Sequence, residues 1–229
     1  MQADVTISLI VAVGILVLFM VLLLYGISLY SVMDLADYDS WSEPIGYAIL
    51  ITFTLLTFSF FQIRIFDGDV RVYLNLTGVV VPVAVSVYLA VKRKLMPSRA
   101  IIATAVVAIS TFFLVTVRNG TVVIDFPFWL VPAFAAVALS YCLTESKDPL
   151  EMAALAYFSG SMGSFLGGDL LKIATTNAQG YREIYFGANG LMDFVFLFGI
   201  IAVATLWSAS LVFDRLRARI LFQADEILI

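Results

Sequence analysis

The sequence predicts an all-α fold, a polytopic transmembrane helical bundle of about seven spans with short hairpins at the membrane surface. Three observations carry this expectation. The chain is 62% hydrophobic and only 13% charged, whereas soluble domains carry about 25% charged residues. Its apolar residues come in long blocks instead of alternating stripes. Several blocks reach about 20 residues without a charge, where a soluble helix would need a polar face. No composition shift or low-complexity linker marks a boundary. Residues 1–229 therefore read as a single transmembrane domain, ending in an amphipathic tail at 214–229.

The first block runs from Val5 to Tyr30, with no Lys or Arg before it. It is too long for a signal-peptide core and is expected to be a first span. The acidic loop "MDLADYDSWSEP" follows, and Pro44 suits the first turn of a second helix over Ile45 to Ile63. In "QIRIFDGDVRVYLNL", β-prone runs flank Asp67-Gly68-Asp69, the pattern of a hairpin. A third span covers Asn75 to Val91, with Asn75 placed to cap it. The basic loop "KRKLMPSR" leads to a fourth span, Ala100 to Val117. "RNGTVVIDFPF" reads as a second hairpin or a re-entrant piece, and a fifth span covers Trp129 to Leu143. After the connector "TESKDPLE", a sixth span covers Met152 to Ile173. "ATTNAQGYREIY" reads as a polar loop before a seventh span, Gly187 to Phe213. In the tail, Leu216, Ile220, Leu221, Ala224 and Ile227 fall on one face of a helix lying on the membrane.

An N-out, C-in orientation places the larger share of the 13 Lys and Arg residues inside, as the positive-inside rule favours. The chain has no histidine, which excludes Ser-His and Cys-His catalysis and His-ligated zinc. No cofactor and no metal is expected. The formal charge of −4 and the lack of a large basic cluster argue against nucleic acid as a partner. The expected partners are membrane lipids and a transmembrane-helix substrate. The one cysteine, Cys142, lies in an apolar block and cannot pair within the chain.

Two aspartates stand at membrane positions. Asp169, in "GSFLGGDLLKI", lies near the end of the sixth span, and Asp193, in "FGANGLMDFVFLFG", lies about two turns into the seventh. One short loop joins the two helices, which makes them neighbours and puts both carboxylates on the same side of the membrane. Ala156, Gly160, Ser164 and Gly168 recur every four residues, with Gly163 and Gly167 beside them. Such small faces let helices approach closely. Close packing is a sufficient reason for the glycines but not for the aspartates, because an ionisable group within a span is a functional signal. If the two carboxyls are enclosed together, repulsion and desolvation favour one proton on the pair.

"GLMDFVF", Gly190 to Phe196, resembles the GxGD-type motif of presenilin and signal-peptide-peptidase intramembrane aspartyl proteases. Met192 stands where that motif has its second glycine. "GGDLL", Gly167 to Leu171, occupies the place of the first catalytic aspartate, with Gly168 in place of the usual tyrosine. The proline motif that follows the second aspartate in those enzymes has no counterpart in order; Pro132-Ala133-Phe134 is an out-of-order substitute. The resemblance implies Asp169 and Asp193 as a catalytic pair, with Gly168, Gly190, Met192 and Pro132 against the substrate. A second resemblance covers Asn75 to Ala202, through "NLTGVVVPVAVSVYL", "AYFSGSMGSFLGGDLLKI" and "FGANGLMDFVFLFGIIA". These stretches are similar to a prokaryotic family of polytopic membrane proteins of unknown function, which implies an integral protein of the cell membrane.

Three functions are compatible with these residues. The first is an aspartyl protease that cleaves transmembrane or signal-peptide helices. The second is a transporter or channel that uses the same aspartates for protons or cations. The third is a non-catalytic membrane scaffold. Lys172, one turn from Asp169, is placed either to neutralise it or to reach headgroups.

Overall fold

The computed structural model describes residues 61–67, 70–118, 121–125, 127–128, 130–146, 148–175, 182–189 and 193–209. The first expected span, the acidic loop, the second expected span up to residue 60 and the C-terminal tail lie outside them; the end of that second span, Gln62 and Ile63, is strand instead of helix. The described residues form a helical bundle capped at one end by a five-stranded sheet, which corrects the all-α expectation.

Both expected hairpins are present. β1 (Gln62–Asp67) pairs antiparallel with β2 (Arg71–Asn75), and β3 (Val115–Arg118) pairs antiparallel with β4 (Thr121–Ile124). The segment expected as a polar loop instead supplies β5 (Glu183–Phe186), which lies at the centre of the sheet in the order β1-β2-β5-β4-β3. β5 runs parallel to both neighbours, from Arg71↔Glu183 to Leu74↔Phe186 on one side and at Thr121↔Tyr185 on the other. Alternation gives the sheet two faces. Arg71, Tyr73, Glu183 and Tyr185 share the outer face, where the tyrosine rings stack at 4.9 Å and Arg71 pairs with Glu183 at 3.3 Å. Ile184, Phe186 and Val122 share a cluster with Ile173, Phe194 and Phe198 of the bundle.

Helix α1 (Leu76–Lys92) opens at Asn75, whose extended backbone and side chain make a cap. Its Oδ1 accepts from the backbone N–H groups of Thr77 at 3.0 Å and Gly78 at 2.8 Å, which satisfies two of the four donors that a helix leaves open at its start. Helix α2 (Pro97–Leu114) starts with proline in its first turn and runs directly into β3. Helix α3 (Leu130–Leu143) follows the second hairpin. Helix α4 (Pro149–Ser164) starts at Asp148, whose carboxylate accepts from Leu150 N–H at 3.1 Å. It continues as a π-helix over Phe165–Leu171 and a last α turn over Lys172–Thr175. Helix α5 (Phe194–Ala209) returns alongside α4.

Among the described residues, one helix, Pro97–Leu114, is long and apolar enough to cross a membrane. The helices Leu76–Lys92, Leu130–Leu143 and Phe194–Ala209 are apolar but shorter. The expected seven spans are not supported. The apolar blocks of the sequence hold more than helix, because part of their length is spent on strands and turns at the sheet end. The expected seventh span shows this most directly: Gly187 to Asn189 form a turn, and the helix begins only at Phe194.

α4 is the central helix, and its glycines set how closely the others approach. At Gly160 a Cβ would lie 3.1 Å from the Phe198 carbonyl carbon of α5. At Gly163 it would lie 2.6 Å from Val107 of α2, and at Gly167 it would meet the Ala108 carbonyl. Facing Gly160, Gly199 of α5 lies against Ser161 and the Tyr157 ring, which a Cβ would approach to 3.1 Å.

Two outcomes follow from this packing. Gly199→Val should destabilise the protein by about 1–3 kcal/mol, the usual cost of overpacking, read as a lower thermal midpoint in detergent. An unchanged midpoint would mean that α4 and α5 do not meet there. On the sheet, hydrogen bonds from Tyr185 first, and then Arg71, hold the exposed Glu183 carboxyl below its ordinary 4.5. A depressed folded value stabilises the fold above the unfolded value and is lost as pH falls. Amide protection in β5 should therefore be level above pH 4.5 and fall below it; a level profile through acid pH would contradict the network.

Candidate functional site

Asp169 and Asp193 are each 1% exposed, in the layer between bundle and sheet. They come from different local structures. Asp169 sits in the π-helical stretch Phe165–Leu171 of "FLGGDLL". A π turn inserts an extra residue into the helix and re-aims the side chains around it, and such turns concentrate at functional sites. Gly167 and Gly168 just before it are buried against α2 and α5.

Asp193 is placed differently from the expectation of a residue two turns inside a helix. Its backbone C=O accepts from Leu197 N–H at 2.9 Å, the first intrahelical bond of α5. Its Oδ1 accepts from Val195 N–H at 3.1 Å. These two bonds make Asp193 the N-cap of α5. An apolar run with an aspartate in it reads as a continuous span, yet the aspartate marks where the helix starts.

Two observations bring the two carboxyls together. Gly168, next to Asp169, lies against the ring of Phe194, next to Asp193; a Cβ on it would come within 2.6 Å of that ring. Both carboxyls also accept from one short turn, Asp169 from the Gly187 backbone N–H and Asp193 from that of Asn189. Gly187 has φ +66°, a conformation that side chains with a Cβ rarely adopt. Its Cα lies against Gly78 in the first turn of α1, where two Cβ atoms could not fit.

The pair is not symmetric. Asp193 is at the N-terminus of a helix, where the macrodipole and N–H donors favour a negative charge. Asp169 Oδ2 is buried with no hydrogen-bond partner among the described residues. A buried carboxyl oxygen without a partner is costly unless water or a ligand meets it.

Of the residues expected against substrate, Gly168 is at the pair, touching Phe194 and Thr111. Pro132 is buried in the first turn of α3, and its neighbour Ala133 belongs to the cluster of Phe194 and Phe198. Gly190 and Met192 lie outside the described residues. Lys172 donates to the Phe112 carbonyl at 3.0 Å and sits over the Phe112 ring, which ties α4 to the end of α2. Sequence reading missed the turn Gly187–Asn189, which carries two of the donors. Its one local signal was the Gly-Ala-Asn-Gly run directly after a β-prone segment. Among the described residues, no group of three or more Asp, Glu or Cys is placed to hold a metal ion.

The class these features define is a helical bundle with a small mixed sheet over a buried pair of aspartates. The chain belongs to the DUF1614 family, proteins of unknown function, which it matches over residues 41–205. No curated protein and no solved structure matches it.

The cap role of Asp193 has a measurable consequence. Asparagine also caps helices, and replacement of a cap by alanine costs about 1 kcal/mol. Asp193→Ala should lower stability by about that amount, and Asp193→Asn should fold with a midpoint near that of the wild type. Equal loss in both would show that the charge, and not the cap, holds the turn.

Proposed function

We propose that the protein is an intramembrane aspartyl protease, with Asp169 and Asp193 as its catalytic pair and transmembrane or signal-peptide helices as substrates. The observation that carries this reading is the enclosure of two carboxyls with unlike surroundings at one place. Asp193, held by N–H donors at a helix start, acts as the ionised base. Asp169 carries the proton on Oδ2, the oxygen without a partner.

The chemistry then follows. Asp193 takes a proton from a water as the water oxygen attacks the scissile amide carbon. Asp169 gives its proton to the carbonyl oxygen, which yields a neutral gem-diol. In the second step a proton returns through Asp193 to the amide nitrogen. The C–N bond breaks, Asp169 recovers its proton from the diol, and an acid and an amine leave.

The membrane setting is part of the proposal. Pro97–Leu114 has the length and composition of a span. Its outward side chains Ile101, Ile102, Val106, Ile109 and Phe113 are exposed, an apolar stripe larger than a soluble surface usually carries. In that orientation the sheet stands at the membrane surface above the aspartates.

A second reading is proton- or cation-coupled transport by the same pair. Thr104 Oγ1, Thr144 Oγ1 and Ser86 Oγ are buried without partners among the described residues, as hydroxyls facing internal water would be. A third reading, a scaffold, needs neither carboxylate.

The test is cleavage of a single-span reporter by purified protein in liposomes. Wild type should cut it, and Asp169→Asn and Asp193→Asn should each be slower by roughly 100-fold or more, the range for general acid–base groups. Cleavage by both variants at the wild-type rate would overturn the proposal. Proton flux in the same liposomes, lost in both variants without any cleavage, would favour transport.

A further inference from the structure

A cleft of about 210 Å3 opens beside Asp193. It is lined by Val122, Val123 and Ile124 of β4, by Asn189, and by Phe194, Leu197 and Phe198 from the first turns of α5. The sheet explains why it exists. β4 and β5 are in register at one position, Thr121↔Tyr185, and β5 ends one residue later in the turn Gly187–Asn189, while β4 continues to Ile124. The cleft lies between β4, that turn and the start of α5.

The cleft is continuous with the aspartates. Asn189 lends its backbone N–H to Asp193. Phe194 follows Asp193 directly, and its ring lies on Gly168, the residue before Asp169. A group in the cleft is therefore held next to the place where the carboxyls meet.

Its chemistry selects the occupant. Among the described residues that line it, none is charged and Asn189 is the one polar member. An ionised side chain would be desolvated there without a counter-charge, which is strongly unfavourable. An apolar cavity of about 150 Å3 accommodates a benzene ring. The cleft thus has room for one branched aliphatic or phenyl side chain, and is too small for several.

From this geometry we infer that the cleft is a specificity subsite, which seats one leucine- or phenylalanine-sized side chain of the substrate next to its scissile bond. The inference rests on the protease reading for its place in the reaction. Its occupant follows from the lining alone.

Two measurements test it. The first uses reporter helices that differ only in the residues flanking the cleaved bond, carrying Phe, Leu, Ala or Asp there. Wild type should prefer Phe and Leu. Leu197→Trp should fill the cleft and lower the Phe-to-Ala rate ratio by tenfold or more. Ile124→Trp, on the opposite wall, should do the same, and Leu197→Ala should raise the Phe-to-Leu ratio. Ratios that stay constant across these folded variants would overturn the subsite while leaving the protease reading intact.

The second measurement needs no turnover. A single-span peptide carrying benzoylphenylalanine is irradiated with the Asp169→Asn protein, and the adducts are mapped by mass spectrometry. Adducts on residues 122–124 or on Leu197, reduced by Ile124→Trp, are the expected result. Adducts elsewhere would overturn the subsite. Adducts in the cleft of a protein that cuts no reporter would keep the binding site and remove the protease reading.

Discussion

The approach of the α4 backbone to its neighbours is the constraint on which the rest of the structure depends. Gly160 meets the α5 backbone at Phe198 and Gly167 the α2 backbone at Ala108, while Gly163 and Gly168 make room for the side chains of Val107 and Phe194. With no side chain at these positions, α4 and α5 come close enough for the residues at their sheet ends to share one space. Asp169 and Asp193 are brought together by that approach. Packing energy collected along the helices offsets what the aspartates cost at the end, and structures keep such costly groups chiefly where they do something.

The sheet closes the space from the other side. β5 is its central strand, and the turn that leaves β5 reaches both carboxyls through backbone N–H groups. The inner face of the sheet belongs to the same apolar cluster as Phe194 and Phe198. The strands, the turn and the start of α5 are therefore one mechanical unit. This arrangement keeps both carboxyls from bulk water.

Much of this was legible in the sequence, for reasons tied to local physics. Asn75 caps α1 because its side chain answers donors two and three residues away, a purely local arrangement. The two hairpins carry their own turns. The small face of α4 repeats with the period of a helix. What was not legible depends on distant partners. Glu183–Phe186 pairs in parallel with strands remote in sequence, and four residues after a polar loop do not announce that. Asp193 reads as an interruption of a span because apolar residues lie on both sides of it; only the hydrogen bonds of Val195 and Leu197 show it to be the helix start. Among the described residues one helix reaches spanning length, fewer than the apolar blocks suggest, because hydropathy does not distinguish a buried strand or turn from a helix.

The account has one central claim, that the two aspartates form a single site holding one proton. The carboxyl region of the infrared spectrum of the detergent-solubilised protein reads this directly, without substrate. The account predicts a protonated-carboxyl band at neutral pH that disappears in Asp169→Asn and persists in variants of exposed acids such as Asp67. A spectrum with every carboxyl ionised at neutral pH, unchanged by Asp169→Asn, would contradict it.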